Sequence, residues 1–185
     1  MTAVVLVEGE SDRNALEALA ERRGRDLAAE GVAVEPIGGA QAVGRFLERF
    51  GPRGLDVRLA GLYDVGEEPA IKRCLERAGL GSDLTRAAME RLGFYACVQD
   101  LEDELIRSLG IPAVEEVVAA QGELGSFRIL QRQPAHRGVP VESQLRRFMG
   151  THSGRKIHYG RVLVEALDLA RVPRPLDLVL EHVGP

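Results

Sequence analysis

The chain has 185 residues, the size of one domain on the usual range of roughly 100–200, and is 45% hydrophobic and 28% charged, enough to build a core under a hydrated surface. No apolar run approaches the roughly 20 residues of a membrane span, nothing ahead of the first strand reads as a signal peptide, and Cys74 and Cys97 are too few for a disulfide framework or a four-cysteine zinc site, so a cytoplasmic protein without a membrane partner is expected. The net charge of −4 argues against a generally basic nucleic-acid coat, and of the 24 basic residues only Lys72 and Lys156 are lysine, a codon-bias signature that leaves two candidates for any task needing an amine.

In chain order, Ala3–Val7 is a short β-branched apolar run of the kind buried on both faces of a sheet. The turn Glu8-Gly9-Glu10-Ser11 follows, with Ser11 or Asp12 expected to cap a helix reaching about Arg23. Val32–Ile37 reads as a second strand ended by Gly38-Gly39, and Gln41–Phe50 as a helix stopped by Gly51-Pro52. Asp56–Tyr63 is a third strand, followed by Asp64-Val65-Gly66-Glu67 and a helix from about Pro69 to Ala78, with proline tolerated in its first turn. Phe94–Val98 is a fourth strand and Leu101–Leu109 another helix. Beyond residue 110 the pattern turns helical, at about Pro112–Gln121, Val141–Met149, Gly154–Leu169 and Leu176–His182. Strands alternating with helices of about ten residues imply an α/β fold with a mostly parallel four-stranded sheet flanked by helices. Residues 1–110 are expected to form the α/β core and 111–185 a helical C-terminal extension packed on it as one structural domain.

Ligands of open parallel sheets bind beyond the carboxyl ends of the strands. Here strand one delivers Glu8, strand three Asp64, and strand four Asp100 with Glu102 two residues on, while Asp12 lies one helical turn after Glu8. Taken singly, each acid reads as a helix cap. As a set, five carboxylates at one sheet edge repel unless neutralised, and oxygen donors without His or Cys suit Mg²⁺ or Mn²⁺ rather than zinc. Basic charge is concentrated elsewhere: residues 126–161 carry +7, which leaves −11 for the rest. Such asymmetry suits either polyanion contact or a solvated helical face. Other reactive residues lack partners. His152 and His158 are six apart and do not share a helix face, His136 and His182 stand in no motif, Cys74 and Cys97 read as core, and no Gly-x-Ser-x-Gly elbow is present. Tyr63, Phe94 and Tyr95 lie on strands and read as core rather than as a base-stacking platform.

The string Val7-Glu8-Gly9-Glu10-Ser11-Asp12 after an apolar strand, with Gly61-Leu62-Tyr63-Asp64 ending a later one, resembles a Toprim domain, the Rossmann-like fold of topoisomerases, bacterial-type primases and recombination-repair proteins. Asp100-Leu101-Glu102 and the helix opening Gly154-Arg155-Lys156 make the resemblance closer to the OLD (overcoming lysogenization defect) nucleases, and the ending Pro173 to Leu176 agrees. That resemblance implies a Mg²⁺- or Mn²⁺-dependent DNA endonuclease or nickase acting by a two-metal-ion mechanism. Glu8, Asp12, Asp64, Asp100 and Glu102 would be metal ligands, with Glu67 a marginal sixth. Glu8, Asp64 and Lys156 would carry catalysis, the lysine by steadying charge on the scissile phosphate, and Arg146, Arg147 and Arg155 would contact flanking phosphates. Two departures stand out. The usual Asp-x-Asp of the third strand has Gly66 at its second position, which questions the second ion. No G-x-x-x-x-G-K-[ST] loop is present, so an ABC-type ATPase would be a separate polypeptide. The alternatives are another Toprim phosphotransfer or RNA-processing enzyme, or a degenerate Toprim that binds or regulates.

Overall fold

The computed structural model describes residues 1–184, the side chains of Ala40 and Ser153 aside. Four strands, β1 (Ala3–Val7), β2 (Val32–Pro36), β3 (Arg58–Asp64) and β4 (Phe94–Cys97), form one sheet in the order β2-β1-β3-β4. Every pairing is parallel, with Leu6 opposite Gly61 and Asp64 opposite Cys97, so the sheet is wholly rather than mostly parallel. All the carboxyl ends therefore point the same way.

Ten α-helices cover the sheet among the described residues: α1 (Glu10–Arg22), α2 (Val43–Phe50), α3 (Glu68–Arg77), α4 (Arg86–Arg91), α5 (Leu101–Leu109), α6 (Ile111–Ala120), α7 (Leu124–Arg132), α8 (Val141–Met149), α9 (Ser153–Ala166) and α10 (Arg174–His182). The period-two alternation of the strands divides the interior into two cores. Ala3, Val5 and Val7 of β1, Ala60 and Leu62 of β3 and Tyr95 of β4 enter one core with α1, α5, α9 and α10. Val4 and Leu6, Leu59 and Tyr63, and Phe94 enter the other with α2, α3 and Met89 of α4. Being sandwiched this way, β1 is buried at all five positions, which is why it is apolar without a break. The first core also takes in Phe127, Leu145, Phe148 and Tyr159, so the helices after residue 110 share it with the sheet.

Several boundaries differ from the sequence expectation, for local reasons. The first helix is not capped by Ser11 or Asp12. Gly9 holds that place in an extended conformation, and the Asp12 carboxylate reaches back one turn to accept the Gly9 amide at 2.7 Å. The third strand starts at Arg58 because Asp56 has a left-handed backbone, φ 49°, and it extends to include Asp64. Helix α9 stops at Ala166, where Leu167 turns extended, and Asp168 caps a short 3₁₀ turn in place of the last expected turn of helix. Helices α4 and α7 were not expected: α4 buries only Met89, and α7 follows α6 after a break marked only by Gly122.

Candidate metal-binding and phosphate-binding cleft

The parallel sheet brings the predicted acids to one edge. Glu8 follows β1 and is exposed; Asp12, in the first turn of α1, is 8% exposed. Asp64 is the last residue of β3, and Glu67 closes the 3₁₀ turn that follows. Past β4, Asp100 caps α5 by accepting the Asp103 amide through Oδ1 at 2.8 Å, and Glu102, one residue into the helix, is 2% exposed. Glu104, which no sequence pattern singled out, tightens this turn by accepting the Val98 amide at 2.8 Å.

These groups act on one another electrostatically. Burial, then the charges of Glu102 and Glu8, push the Asp12 carboxyl up to about 7, against the opposing pull of the Gly9 amide and Lys156. Burial, then Glu8, Asp100, Glu67 and Asp12, push Asp64 to about 7 as well. Glu102 is also raised, by burial and by Asp100, although Lys156 opposes the shift. Burial works against the Lys156 charge, yet Glu102, Asp12 and Glu8 outweigh it and hold its pKa above the ordinary lysine value. Lys156 Nζ lies 3.4 Å from Glu102 Oε2.

Helix α9 carries that lysine, and a glycine sets its distance. At Gly160, one turn beyond Lys156, a Cβ would stand 2.5 Å from the backbone oxygen of Ser11, the neighbour of Asp12. Only a residue without a side chain lets the two helices approach so closely. A second device fixes the start of α9: Arg155 pairs with Glu123 Oε1 at 2.8 Å, donates to Thr151 and stacks over Phe148 at 4.3 Å, while the Tyr159 hydroxyl donates to Glu123 Oε2 at 2.8 Å. Arg155, expected to contact flanking phosphates, is here engaged by the scaffold; Glu123 lies 32 residues away in sequence, so no local pattern announces the pairing.

The expected phosphate-contacting arginines of α8 do line the cleft. A cavity of about 620 Å³ is walled by Asp100, Glu102, Arg146, Arg147 and Lys156, with Gln99 and Ser143 added by the fold. Arg147 is exposed, whereas Arg146 Nε pairs with Asp100 Oδ2 at 2.9 Å and a second guanidinium nitrogen donates to Gln99. The +7 segment is less basic in space than in sequence. Arg128 pairs with Glu115 and Arg161 with Glu21 and Glu165, leaving Arg132, Arg137 and Arg147 without an ion pair among the described residues. The remaining candidates stay outside the cleft: Cys74 and Cys97 are buried, the Cys97 thiol pushed up by burial; His158 bonds Gln121 at 2.7 Å, and His182 packs on Tyr95.

The donor set suits a hard divalent cation. One oxygen of the buried Glu102 carboxylate, Oε1, has no hydrogen-bond partner, an unusual state for a buried polar atom. At the same edge, burial first and neighbouring carboxylates second disfavour the ionised forms of Asp12 and Asp64, a cost that a cation among oxygen ligands relieves. Among the described residues no three such side chains stand close enough together to hold a metal ion as they are placed. Of the acids, Asp100 and Glu102 line the open cleft, each with a counter-ion, Arg146 and Lys156 respectively. Where an Asp-x-Asp pair would put its second acid, a Cβ on Gly66 would meet nothing within 4 Å.

Residues 1–65 match the family model described as the TOPRIM domain of overcoming lysogenization defect (OLD) protein-like chains. Such domains generally bind divalent metals such as Mg²⁺. The C-terminal region of the Xanthomonas campestris pv. campestris OLD protein is similar in structure, with TM-score 0.73 and 22% identity over 98% of this chain and 91% of that one. The C-terminal region of the Burkholderia pseudomallei OLD protein gives TM-score 0.73 and 19% identity over 98% and 96%. At such identity the likeness establishes the fold, which the four-stranded parallel sheet shares. No curated protein matches the sequence. No helix among the described residues is long and apolar enough to cross a membrane.

Proposed function

We propose that the cleft hydrolyses phosphodiester bonds as a Mg²⁺- or Mn²⁺-dependent OLD-like Toprim nuclease, with DNA as its polymer and nicking or endonucleolytic cleavage as its outcome. The observation that carries this reading is the unpartnered buried oxygen of Glu102, set beside Lys156 and two carboxyls raised to about 7. Glu8, Asp12, Asp64, Asp100 and Glu102 would hold the cation, with Glu67 at the margin and a second ion weakened by Gly66. A bound divalent cation supplies an activated water and charge compensation at the phosphate.

The chain's own residues do the rest. Asp12 and Asp64, raised chiefly by burial, would bind the cation as carboxylates, its charge offsetting the burial and the neighbouring acids that disfavour their ionised forms. Lys156, drawn inward by Glu102, supplies a flexible point charge where the transition state gathers negative charge, and the amides opening α9 add donors suited to a phosphate. Arg147 and Arg146 would grip flanking phosphates, a salt-sensitive contact. Arg155 contributes indirectly, by fixing the helix that carries Lys156. An ABC-type ATPase would be the motor partner.

Purified protein should nick supercoiled plasmid in Mn²⁺ or Mg²⁺, and Glu8→Ala or Asp64→Ala should abolish nicking. Cleavage that survives both substitutions, or survives chelation, sinks the proposal. A second reading, a Toprim that binds nucleic acid without cutting it, draws on Gly66; it requires salt-sensitive DNA binding with no nicking in either metal.

A further inference from the structure

Three cations line the acidic cleft: Lys156, which the proposed function assigns to catalysis, Arg147, and Arg146, which covers an acid. Its Nε lies 2.9 Å from Asp100 Oδ2, and its guanidinium also donates to Gln99. The two oxygens of Asp100 are divided: Oδ1 caps α5 through the Asp103 amide, so Oδ2 is the one that faces the cleft and the one that Arg146 covers. A guanidinium and a divalent cation cannot share that oxygen without setting like charges in contact.

We propose that Arg146 is an exchangeable counter-ion: it neutralises Asp100 while the cleft holds no metal, is displaced when a divalent cation takes Oδ2, and is thereby delivered to the phosphate backbone of the nucleic acid. This rests on the metal-dependent reading above and adds a coupling between its two ligands. Displacement is cheap, because the pair is partly exposed, with the arginine side chain 39% and the aspartate 23% accessible, and such pairs are weak and screened. The freed group already stands on the wall of the same cavity, next to Arg147, and a planar fork of donors suits a phosphate better than it suits a carboxylate already in use as a cap. Metal loading thus arms the grip on the polymer. By reciprocity, the polymer strengthens metal binding.

The exchange predicts opposite signs for one substitution. Arg146→Gln removes a competitor, so Mn²⁺ titrated calorimetrically into the full chain should bind about fivefold or more tightly than in the wild type. The same variant, loaded with Mn²⁺, should bind a phosphorothioate DNA duplex more weakly, and the duplex should enhance its Mn²⁺ affinity less than in the wild type. Arg147→Gln, exposed on the same wall with no ion pair among the described residues, should weaken the duplex and leave Mn²⁺ affinity unchanged. Arg146→Lys keeps the charge and should return Mn²⁺ affinity toward the wild-type value, which separates competition from any loosening of α8. Wild-type protein that binds Mn²⁺, with Arg146→Gln binding it equally or less well, overturns the exchange and leaves the nuclease reading standing. Wild-type protein that takes up no Mn²⁺ overturns both.

Discussion

Gly160→Ala isolates the geometry of the cleft from its chemistry. The added methyl would lie 2.5 Å from Ser11 O and 3.2 Å from Ser11 C, both backbone atoms that cannot rotate aside. To reach even the closest spacing real Cβ atoms show, 3.0 Å, helices α1 and α9 must part by about half an ångström. Overpacking of this kind costs about 1–3 kcal/mol, against a gain of about 1 kcal/mol from replacing glycine inside a helix. The net destabilisation is then about 0–2 kcal/mol, a melting shift of at most several degrees for a chain this size. Function should suffer more. Gly160 lies one turn from Lys156 and Ser11 adjoins Asp12, so the separation opens the gap between the cation and the acids it serves. Misplacement of about 1 Å can cost ~100-fold, and half of that should cost about tenfold. Plasmid nicking in Mn²⁺ beside a thermal melt reads both quantities. A variant that nicks at the wild-type rate refutes the idea that this close approach sets the site.

Other outcomes follow from the same geometry. Asp12 and Asp64 have raised pKa values in the metal-free protein, so the stability they contribute is complete below the ordinary carboxylate range and is lost as pH rises through about 7. Melting temperature without metal should therefore fall between pH 5 and pH 8 by an amount that Mn²⁺ restores, with Asp12, the more buried, contributing a few kcal/mol. Asp12→Asn should flatten that dependence, and a melting profile that Asp12→Asn leaves unchanged refutes it. Gly66→Asp places a carboxylate in open space beside Asp64 and should raise the Mn²⁺ stoichiometry measured by calorimetry, at the expense of metal-free stability. Lys156→Arg keeps the charge facing Glu102 but replaces a compact ammonium by a planar fork; nicking should fall by ~100-fold with little change in melting temperature.

The acids were readable because the sheet orders them: in a parallel sheet the carboxyl ends of the strands share one edge whatever the flanking helices do, and Glu8 follows β1, Asp64 ends β3 and Asp100 lies in the turn after β4. The buried run of β1 was readable for the same reason, since a strand sandwiched between helical layers has no polar face. Charge was less legible. Eight basic residues in a window of the sequence suggested a surface for polyanions, yet Arg155 is held by Glu123 and Arg161 by Glu21, acids that the window does not contain. Gly160 carries a sequence signal of its own: a glycine inside a helix, one turn after the candidate lysine, asks for a packing reason. Nothing local marked Glu102 as the acid that is buried with an unpartnered oxygen, because its burial comes from helices far along the chain.

The claim at the centre is that the strand-end acids hold a divalent cation. A crystal of the full chain soaked in Mn²⁺ and measured at the manganese absorption edge tests it most directly. Anomalous peaks are expected among Glu8, Asp12, Asp64 and Glu102, with Arg146 drawn off Asp100 where a peak lies beside that residue. A fully soaked crystal with no peak at these carboxylates, or with Mn²⁺ only at surface acids elsewhere, contradicts it.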